Sequence, residues 1–357
     1  MRIAIVNDMR LAIEALRRVV ASVPDAEVAW IAEDGLQALE KCRADRPDVV
    51  LMDLIMPVMD GDESTRRIMA ECPCPIVVVT ATVDGNASKV YDALGHGALD
   101  AVNTPTLGPK GDVAGGETLV RKIEMVRRMR RSASATREQG SSASPAPVTT
   151  PAPCEANRGG PQLVAIGAST GGPQAVASIL TSLPTSFPLP ILVVQHVDAE
   201  FVPGRVRWLA EQAGRPGRLA EPGEIRPGEV LVAGHNRHLV VEAPGRLAYR
   251  DEPSDVAHRP SVDVLFRSLA ELRGICGIAA LLTGMGRDGA EGLLALRHAG
   301  WCTIAQDRGS SVVWGMPGAA VQLGAACDVL PIGEIAPRIA RETNTTSPAS
   351  GRSGAIR

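Results

Sequence analysis

The 357-residue sequence predicts two α/β domains, each built on a parallel sheet, joined by a polar segment. Three observations lead there. Short β-rich runs alternate with helically spaced apolar residues over the first third of the chain. The same alternation resumes near residue 163. Between the two, from about 132 to 160, almost no large apolar side chain occurs.

In the first unit, residues 1–131, the runs at 3–6, 28–32, 49–52, 76–79 and 99–102 predict strands. Spacings such as Ala12, Leu16, Val19 and Leu36, Leu39 predict the helices that follow them. Strands that are apolar throughout, rather than alternating, must be covered on both faces, which calls for a parallel sheet between helices. Residues 132–160 include Ser132-Ala133-Ser134-Ala135-Thr136 and Ser141-Ser142-Ala143-Ser144-Pro145-Ala146-Pro147. Such a stretch cannot bury enough surface to offset its ordering entropy, so a flexible, partly extended linker is expected. In the second unit, 161–340, the runs 163–166, 191–194 and 278–282 predict buried strands. Val262, Leu265, Phe266, Leu269 and Leu272 make one apolar helix face that reads as core packing, and Pro203 suits the first turn of a helix opening at Phe201-Val202. Residues 341–357 read as a disordered polar tail. The basic run 121–131 reads as a solvated last helix, with a partner-docking surface as the other option.

Composition excludes several functions. A net charge of −3 gives no electrostatic case for binding nucleic acid or an anionic membrane. Aromatic residues, at 3%, leave little material for base-stacking platforms. No apolar run reaches the ~18 residues of a membrane span, and Asp8 comes too early for a signal peptide. The expectation is a cytoplasmic protein with no direct membrane insertion. Seven cysteines, odd in number and scattered, fit reduced thiols, and Cys72-Pro73-Cys74 is too tight for a usual zinc knuckle.

Parallel sheets bind ligands at the C-terminal ends of their strands. In the first unit Asn7-Asp8, Asp53 and Thr80 stand there. Two acids held close repel, unless they share a hard divalent cation such as magnesium. With that ion present, Asp53 becomes a nucleophile toward a phosphoryl donor. Each acid alone serves equally well as a helix cap or loop starter; together, at matching strand ends, they favour a site.

Three strand-end loops of the second unit carry reactive groups. Gly167-Ala168-Ser169-Thr170-Gly171-Gly172 matches G-x-S-x-G, where small neighbours permit a sharp turn that exposes a hydroxyl near a helix N-terminus. A Gly/Ser-rich phosphate loop or a plain N-cap explains the same residues as well. His196 ends the next strand and can take a proton from Ser169 when neutral, but one of six histidines says little until it is paired. In Thr283-Gly284-Met285-Gly286-Arg287-Asp288-Gly289, Asp288 can orient His196 and stabilise the imidazolium. Gly284, Gly286 and Gly289, with Asp307 after the next strand, also imitate a dinucleotide site. Too little chain remains for a second mononucleotide-binding half, and that reading leaves Ser169 and His196 without a role. The order Ser, His, Asp differs from that of α/β-hydrolases.

Leu51-Met52-Asp53-Leu54-Ile55-Met56-Pro57-Val58-Met59-Asp60-Gly61 resembles the phosphorylation loop of a two-component receiver domain. The resemblance implies a flavodoxin-like sheet of five parallel strands. It further implies that Asp53 accepts a phosphoryl group from a histidine kinase, with Asp8 and Asp53 holding Mg2+ and Thr80 contacting the phosphoryl group. Three positions depart from the receiver pattern: Asn7 replaces an acid, Thr104 replaces the lysine after strand five, and Ala101 replaces a common switching aromatic. Lys110 lies near in sequence. A hydroxyl donates a hydrogen bond but cannot neutralise phosphoryl charge as an ammonium does, so phosphorylation is expected with weakened or rewired transmission.

The second unit resembles the catalytic domain of the CheB family of chemotaxis methylesterases. The resemblance rests on Ala165-Ile166-Gly167-Ala168-Ser169-Thr170-Gly171-Gly172, Gln195-His196, Arg259-Pro260-Ser261-Val262-Asp263-Val264-Leu265-Phe266, Leu282-Thr283-Gly284-Met285-Gly286-Arg287-Asp288-Gly289, Ala305-Gln306-Asp307 and Trp314-Gly315-Met316-Pro317. It implies a three-layer α/β/α fold and hydrolysis of glutamate γ-methyl esters on the cytoplasmic domain of methyl-accepting chemoreceptors, with deamidation of receptor glutamine. By the same resemblance Ser169, His196 and Asp288 form the catalytic set, Met285 and groups near Thr170 support the oxyanion, catalysis needs no cofactor, and the receiver covers the esterase cleft until Asp53 is phosphorylated. The family's Ala-Pro-Gly-Gly-x-His segment is altered to Ala233-Gly234-His235-Asn236-Arg237-His238. The Asn7-Asp8-Met9 opening and Thr104 look more like the WspF branch, which serves a surface-sensing array. An adaptor that docks receptors without catalysis is the other class left open; a transcription factor lacks support, because no helix-turn-helix or basic effector surface is present.

Overall fold

The computed structural model describes residues 1–80, 87–108, 112–138, 162–196, 201–256 and 258–344. The first domain runs β1 (Arg2–Val6), α1 (Arg10–Ser22), β2 (Glu27–Ala32), α2 (Gly35–Ala44), β3 (Val49–Met52), α3 (Gly61–Glu71), β4 (Ile76–Thr80), α4 (Ala87–Gly95) and β5 (Asp100–Asn103). Its sheet has the order β2-β1-β3-β4-β5, parallel throughout. The apolar runs of β3 and β4 lose all contact with water, as continuous Val/Ile/Leu strands require. Side chains alternate between two cores: Ile3, Ile5, Leu51 and Val77 face one, while Ala4, Val6, Val50 and Val78 face the other. A short pair, β6 (Thr106–Leu107) and β7 (Val113–Ala114), precedes α5 (Gly116–Glu138).

Two expected boundaries move. Helix α5 continues past Arg131 to Glu138, because the small, polar residues there are compatible with a helix and no breaker precedes Gly140. Lys110, the remainder of the expected linker and the tail from 345 lie outside the described residues. The basic run is not a wholly solvated face either. Lys122 pairs with Asp100, and Arg127 pairs with Glu124 while reaching the Pro24 carbonyl.

The second domain contains β8 (Val164–Ala168), α6 (Gly172–Ser182), β9 (Ile191–Gln195), α7 (Val202–Ala213), β10 (Gly217–Leu219), β11 (Gly223–Glu224), β12 (Val230–Val232), β13 (His238–Ala243) and β14 (Arg246–Arg250). There follow α8 (Val262–Ala270), β15 (Ile278–Leu281), α9 (Ala290–His298), β16 (Cys302–Gln306), α10 (Met316–Gln322), β17 (Asp328–Leu330) and α11 (Ile332–Asn344). Seven parallel strands take the order β10-β12-β9-β8-β15-β16-β17. Ile166, Val193 and Ala280 face α6, α7 and α11; Ala165, Leu192 and Ala279 face α8, α9 and α10. That alternation makes the three layers. An antiparallel excursion, β11-β14-β13, was not expected from the sequence. Leu272 packs on the core from beyond the end of α8, and α11 carries the chain past residue 340 to Asn344.

Apolar packing runs unbroken from one domain into the other. Tyr91 on α4 is fully buried, its ring 5.8 Å from that of Trp208 on α7, and its hydroxyl donates to the Phe201 carbonyl at 2.8 Å. Met285 and Val313 pack against the core of the first domain. The six described cysteines are free thiols, and among the described residues no helix is long and apolar enough to cross a membrane.

Candidate active site

Neighbouring strands deliver the serine and the histidine to one edge of the second sheet. Ala168 pairs with Gln195, and the His196 N–H donates to the Ala168 carbonyl at 3.1 Å, so Ser169 and His196 leave adjacent strand ends. On the other side β15 runs beside β8, and the Ser169 N–H donates to the Thr283 carbonyl at 3.0 Å. Two glycines make this crossing possible. Gly171 caps α6 at φ 72°, a left-handed conformation that costs other residues. A Cβ on Gly284 would lie 2.8 Å from Ser169 Cβ and 2.3 Å from the Met316 sulfur. The end of β9 is fixed from below by Arg205, fully buried, which donates to the carbonyls of Gln195 (2.9 Å) and Ala233 (2.8 Å).

His196 and Asp288 meet directly. Nε2 of His196 lies 2.8 Å from Oδ2 of Asp288. Four groups hold that carboxylate: the Ser261 hydroxyl (2.7 Å) and Asp263 N–H (3.0 Å) on Oδ1, and the Val262 N–H (2.8 Å) with the imidazole on Oδ2. Ser261 is the N-cap of α8 and accepts from the Val264 N–H, so the acid sits on the positive end of a helix. Burial pushes the Asp288 carboxyl up, but the imidazole, the Asp263 N–H and the Ser261 hydroxyl outweigh it and hold it well below the usual carboxylate range. With Nε2 engaged by the acid, Nδ1 is the nitrogen left to accept a proton. It is buried and without a partner, and among the described residues no hydrogen bond joins it to Ser169.

The other expected support residues divide. The Thr170 hydroxyl is turned to the receiver, donating to Asp100 Oδ2 at 3.4 Å and to the Met125 sulfur at 3.2 Å. Gly171 N–H reaches the Leu99 carbonyl at 3.3 Å. The backbone N–H groups of Thr170 and Met285 have no acceptor among the described residues, which suits donors reserved for a ligand oxygen. Asp307, the acid of the dinucleotide pattern, is occupied by the N–H and hydroxyl of Ser310. The sequence reading passed over Ser261, His238 and His258. His238 is fully buried, with Nδ1 accepting from the Ser261 N–H (3.2 Å) and Nε2 on the Pro253 carbonyl (3.0 Å).

In the first domain Asp53 is buried between Asn7, whose amide donates to Oδ2 at 2.8 Å, and the Leu54 N–H, which donates to Oδ1 at 2.7 Å. Burial, helped by the charge of exposed Asp8, raises its carboxyl to about 6 against the pull of the Leu54 N–H. The Thr104 N–H donates to the Thr80 carbonyl at 3.0 Å, tying β5 to β4, while the Thr104 hydroxyl is buried without a partner.

Family comparison agrees with both halves. The model for CheB methylesterase matches residues 164–339, and that for the response regulator receiver domain matches 3–107. A protein-glutamate methylesterase/protein-glutamine glutaminase 1 of Bordetella avium is 50% identical over 345 residues, covering 95% of this chain and 96% of that one. Its counterpart in Cupriavidus pinatubonensis is 48% identical, covering 98% and 100%. Among solved structures, the CheB methylesterase catalytic domain of Thermotoga maritima is 33% identical with a TM-score of 0.47, covering 51% of this chain and 98% of that one. At 48–50% identity to those two curated relatives, over nearly the whole length of each, the chain belongs to the CheB methylesterase family and carries its receiver domain.

Proposed function

We propose that the chain removes γ-methyl esters from glutamate side chains of chemoreceptor cytoplasmic domains by a Ser-His-Asp mechanism in the cytoplasm. The observation that carries this reading is the His196–Asp288 contact beside Ser169 at one sheet edge. Ser169 Oγ attacks the ester carbonyl while its proton passes to Nδ1 of His196. Asp288, held by four donors, fixes the Nε2–H tautomer and stabilises the imidazolium that forms. The free N–H groups of Met285 and Thr170, with the N-terminus of α6, face the developing oxyanion. His196 returns its proton to the leaving methoxide, methanol departs, and water repeats the sequence to release the carboxylate and restore Ser169. Attack on a receptor glutamine follows the same course with ammonia as the leaving group.

Control belongs to the first domain. A histidine kinase of the array supplies the phosphoryl group to Asp53. Asp8 and Asp53 suit Mg2+, since a divalent cation would relieve the charge repulsion that helps lift the Asp53 carboxyl. When bound, the ion supplies charge neutralisation to the incoming phosphoryl group. Before phosphorylation the receiver covers the esterase. This reading is supported by the grip of Asp100, Met125 and Leu99 on the Thr170-Gly171 turn and by Met285 and Val313 packed on the receiver core.

Methanol release from methyl-labelled receptor domains by wild type and Ser169→Ala tests the mechanism. A loss on the order of 10⁶ is expected if serine and histidine act as a unit. A loss under tenfold rejects the mechanism, and no methanol release from the wild type leaves a docking adaptor. Turnover of the full chain, with and without a phosphodonor, against residues 155–345 tests the control; equal rates in all three remove it.

A further inference from the structure

His258 has no part in the mechanism above, yet its ring lies flat on the catalytic imidazole. The His196 and His258 centroids are 4.1 Å apart and their planes differ by 17°. The His196 side chain is only 9% exposed, whereas His258 is exposed. The outer ring therefore shields one face of the inner one. That geometry matters because His196 is fixed at a single nitrogen. A ring held only through Nε2 can tilt about its one hydrogen bond, and its Nδ1 has no partner to stop it.

The segment carrying His258 is clamped at both ends. His238 bridges the Pro253 carbonyl and the Ser261 N–H, and the Arg259 guanidinium donates to the Ser254 carbonyl at 2.8 Å. Ser261, where the segment joins α8, holds Asp288. One anchored loop thus places a flat surface on the base and a hydroxyl on the acid.

We propose that His258 is a positioning residue, an uncharged aromatic plate that fixes the plane of His196 so that Nδ1 faces Ser169, and that keeps water off the imidazole. The inference rests on the reading of His196 as the base. The surroundings keep the plate uncharged: although its outer side is exposed, desolvation of the face packed on His196, then the nearby His196, Lys122 and Arg121, lower His258 to about 4 against the pull of Asp288. A neutral ring tolerates the imidazolium that forms beneath it during the reaction, whereas a protonated one would repel it.

The test uses the full chain and methanol release from a methyl-labelled receptor domain. His258→Ala is expected to lower kcat on the order of tenfold, as loss of alignment does, with KM within about twofold. His258→Phe, flat and unable to ionise, should restore kcat to within about threefold. Should His258→Ala fold poorly, His258→Gln, which keeps bulk without an aromatic face, should show the same loss. A wild-type kcat for the non-aromatic variants overturns the proposal, and so does a His258→Phe as slow as they are. Full activity in His196→Ala would overturn the base assignment and this inference together; a dead His196→Ala beside an unaffected His258→Ala overturns this inference alone.

Discussion

Removing a single oxygen atom from the domain interface should switch the esterase on. Tyr91 is fully buried, and its hydroxyl donates to the Phe201 carbonyl at 2.8 Å. Tyr91→Phe keeps the ring against Trp208 but leaves that carbonyl without its donor while the domains are docked. Once they separate, water satisfies the carbonyl, so the penalty falls on the docked arrangement alone. An unmet buried acceptor plus the lost bond costs about 1–2 kcal/mol. At 1.36 kcal/mol per decade this shifts the equilibrium toward the open form by about 5–30-fold. Methanol release by the unphosphorylated full chain should rise by that factor, and stimulation by a phosphodonor should shrink correspondingly. A basal rate within twofold of wild type, in a variant with an unchanged thermal midpoint, would refute the idea that this contact holds the esterase closed.

Three further perturbations probe the two sites. Asp53 has a folded-state carboxyl raised to about 6, chiefly by burial. A raised carboxyl lends stability that is complete below the ordinary carboxylate range and lost as pH climbs through 6. At 1.36 kcal/mol per pH unit the loss reaches up to about 3 kcal/mol. In EDTA, Asp53→Asn should therefore melt above wild type at pH 7.5, with the gap closing near pH 4; a gap independent of pH contradicts this. Ser261→Ala removes a hydroxyl from the Asp288 carboxylate, a bond worth about 1.5–3 kcal/mol, and should lower kcat by about 10–100-fold with KM unchanged. A kcat within threefold of wild type would show that the other three donors suffice. Gly284→Ala drives a methyl group into Ser169 Cβ and the Met316 sulfur. Displacement of the serine by about 1 Å should cost at least about a hundredfold in methanol release, measured beside circular dichroism to confirm the fold.

Legibility in the sequence followed the kind of signal each element carries. Continuous apolar runs such as Val49-Val50-Leu51-Met52 declare buried parallel strands, and β3 occupies those four residues. The β11-β14-β13 excursion has no such mark: β11 is two residues long, and β13 begins at a histidine whose burial depends on a distant loop. Residues 132–138 look like linker by composition, but composition says nothing about a helix that α5 can simply extend. At the site, Ser169 was legible because G-x-S-x-G is local, and Asp53 because its loop is contiguous. The meeting of His196 with Asp288 was suggested by strand ends and given weight only by resemblance. Ser261, His238 and His258 were missed because their roles arise when separate loops close on one another. Ser261 did leave a trace, as a serine directly ahead of an apolar helical run.

The interface between the two domains is held by means other than an aromatic at 101. Three polar contacts across it are long: Gly171 N–H to the Leu99 carbonyl at 3.3 Å, Thr170 to Asp100 at 3.4 Å, and Gln174 to the Gly95 carbonyl at 3.4 Å. Even counted at about 1 kcal/mol each, they fall short of the ~5.5 kcal/mol that separates a state 1% open from one 99% open. The Tyr91–Phe201 hydrogen bond and apolar docking supply the rest, with Tyr91 and Trp208 buried at 0% and 5% exposure and Met285 and Val313 on the core of the first domain. Packed apolar surfaces lose about a quarter to a half of their attraction over a gap of about 0.5–1 Å. On the proposed control, a modest tilt of α4 would weaken this docking first at Tyr91, the residue that α4 buries against Trp208. Ala101 lies inside the sheet at 3% exposure and takes no part in that contact. For Thr104, the buried hydroxyl without a partner is a donor that a phosphoryl oxygen on Asp53 would satisfy. On the proposed control, meeting that bond is what would draw β5 toward a phosphorylated Asp53.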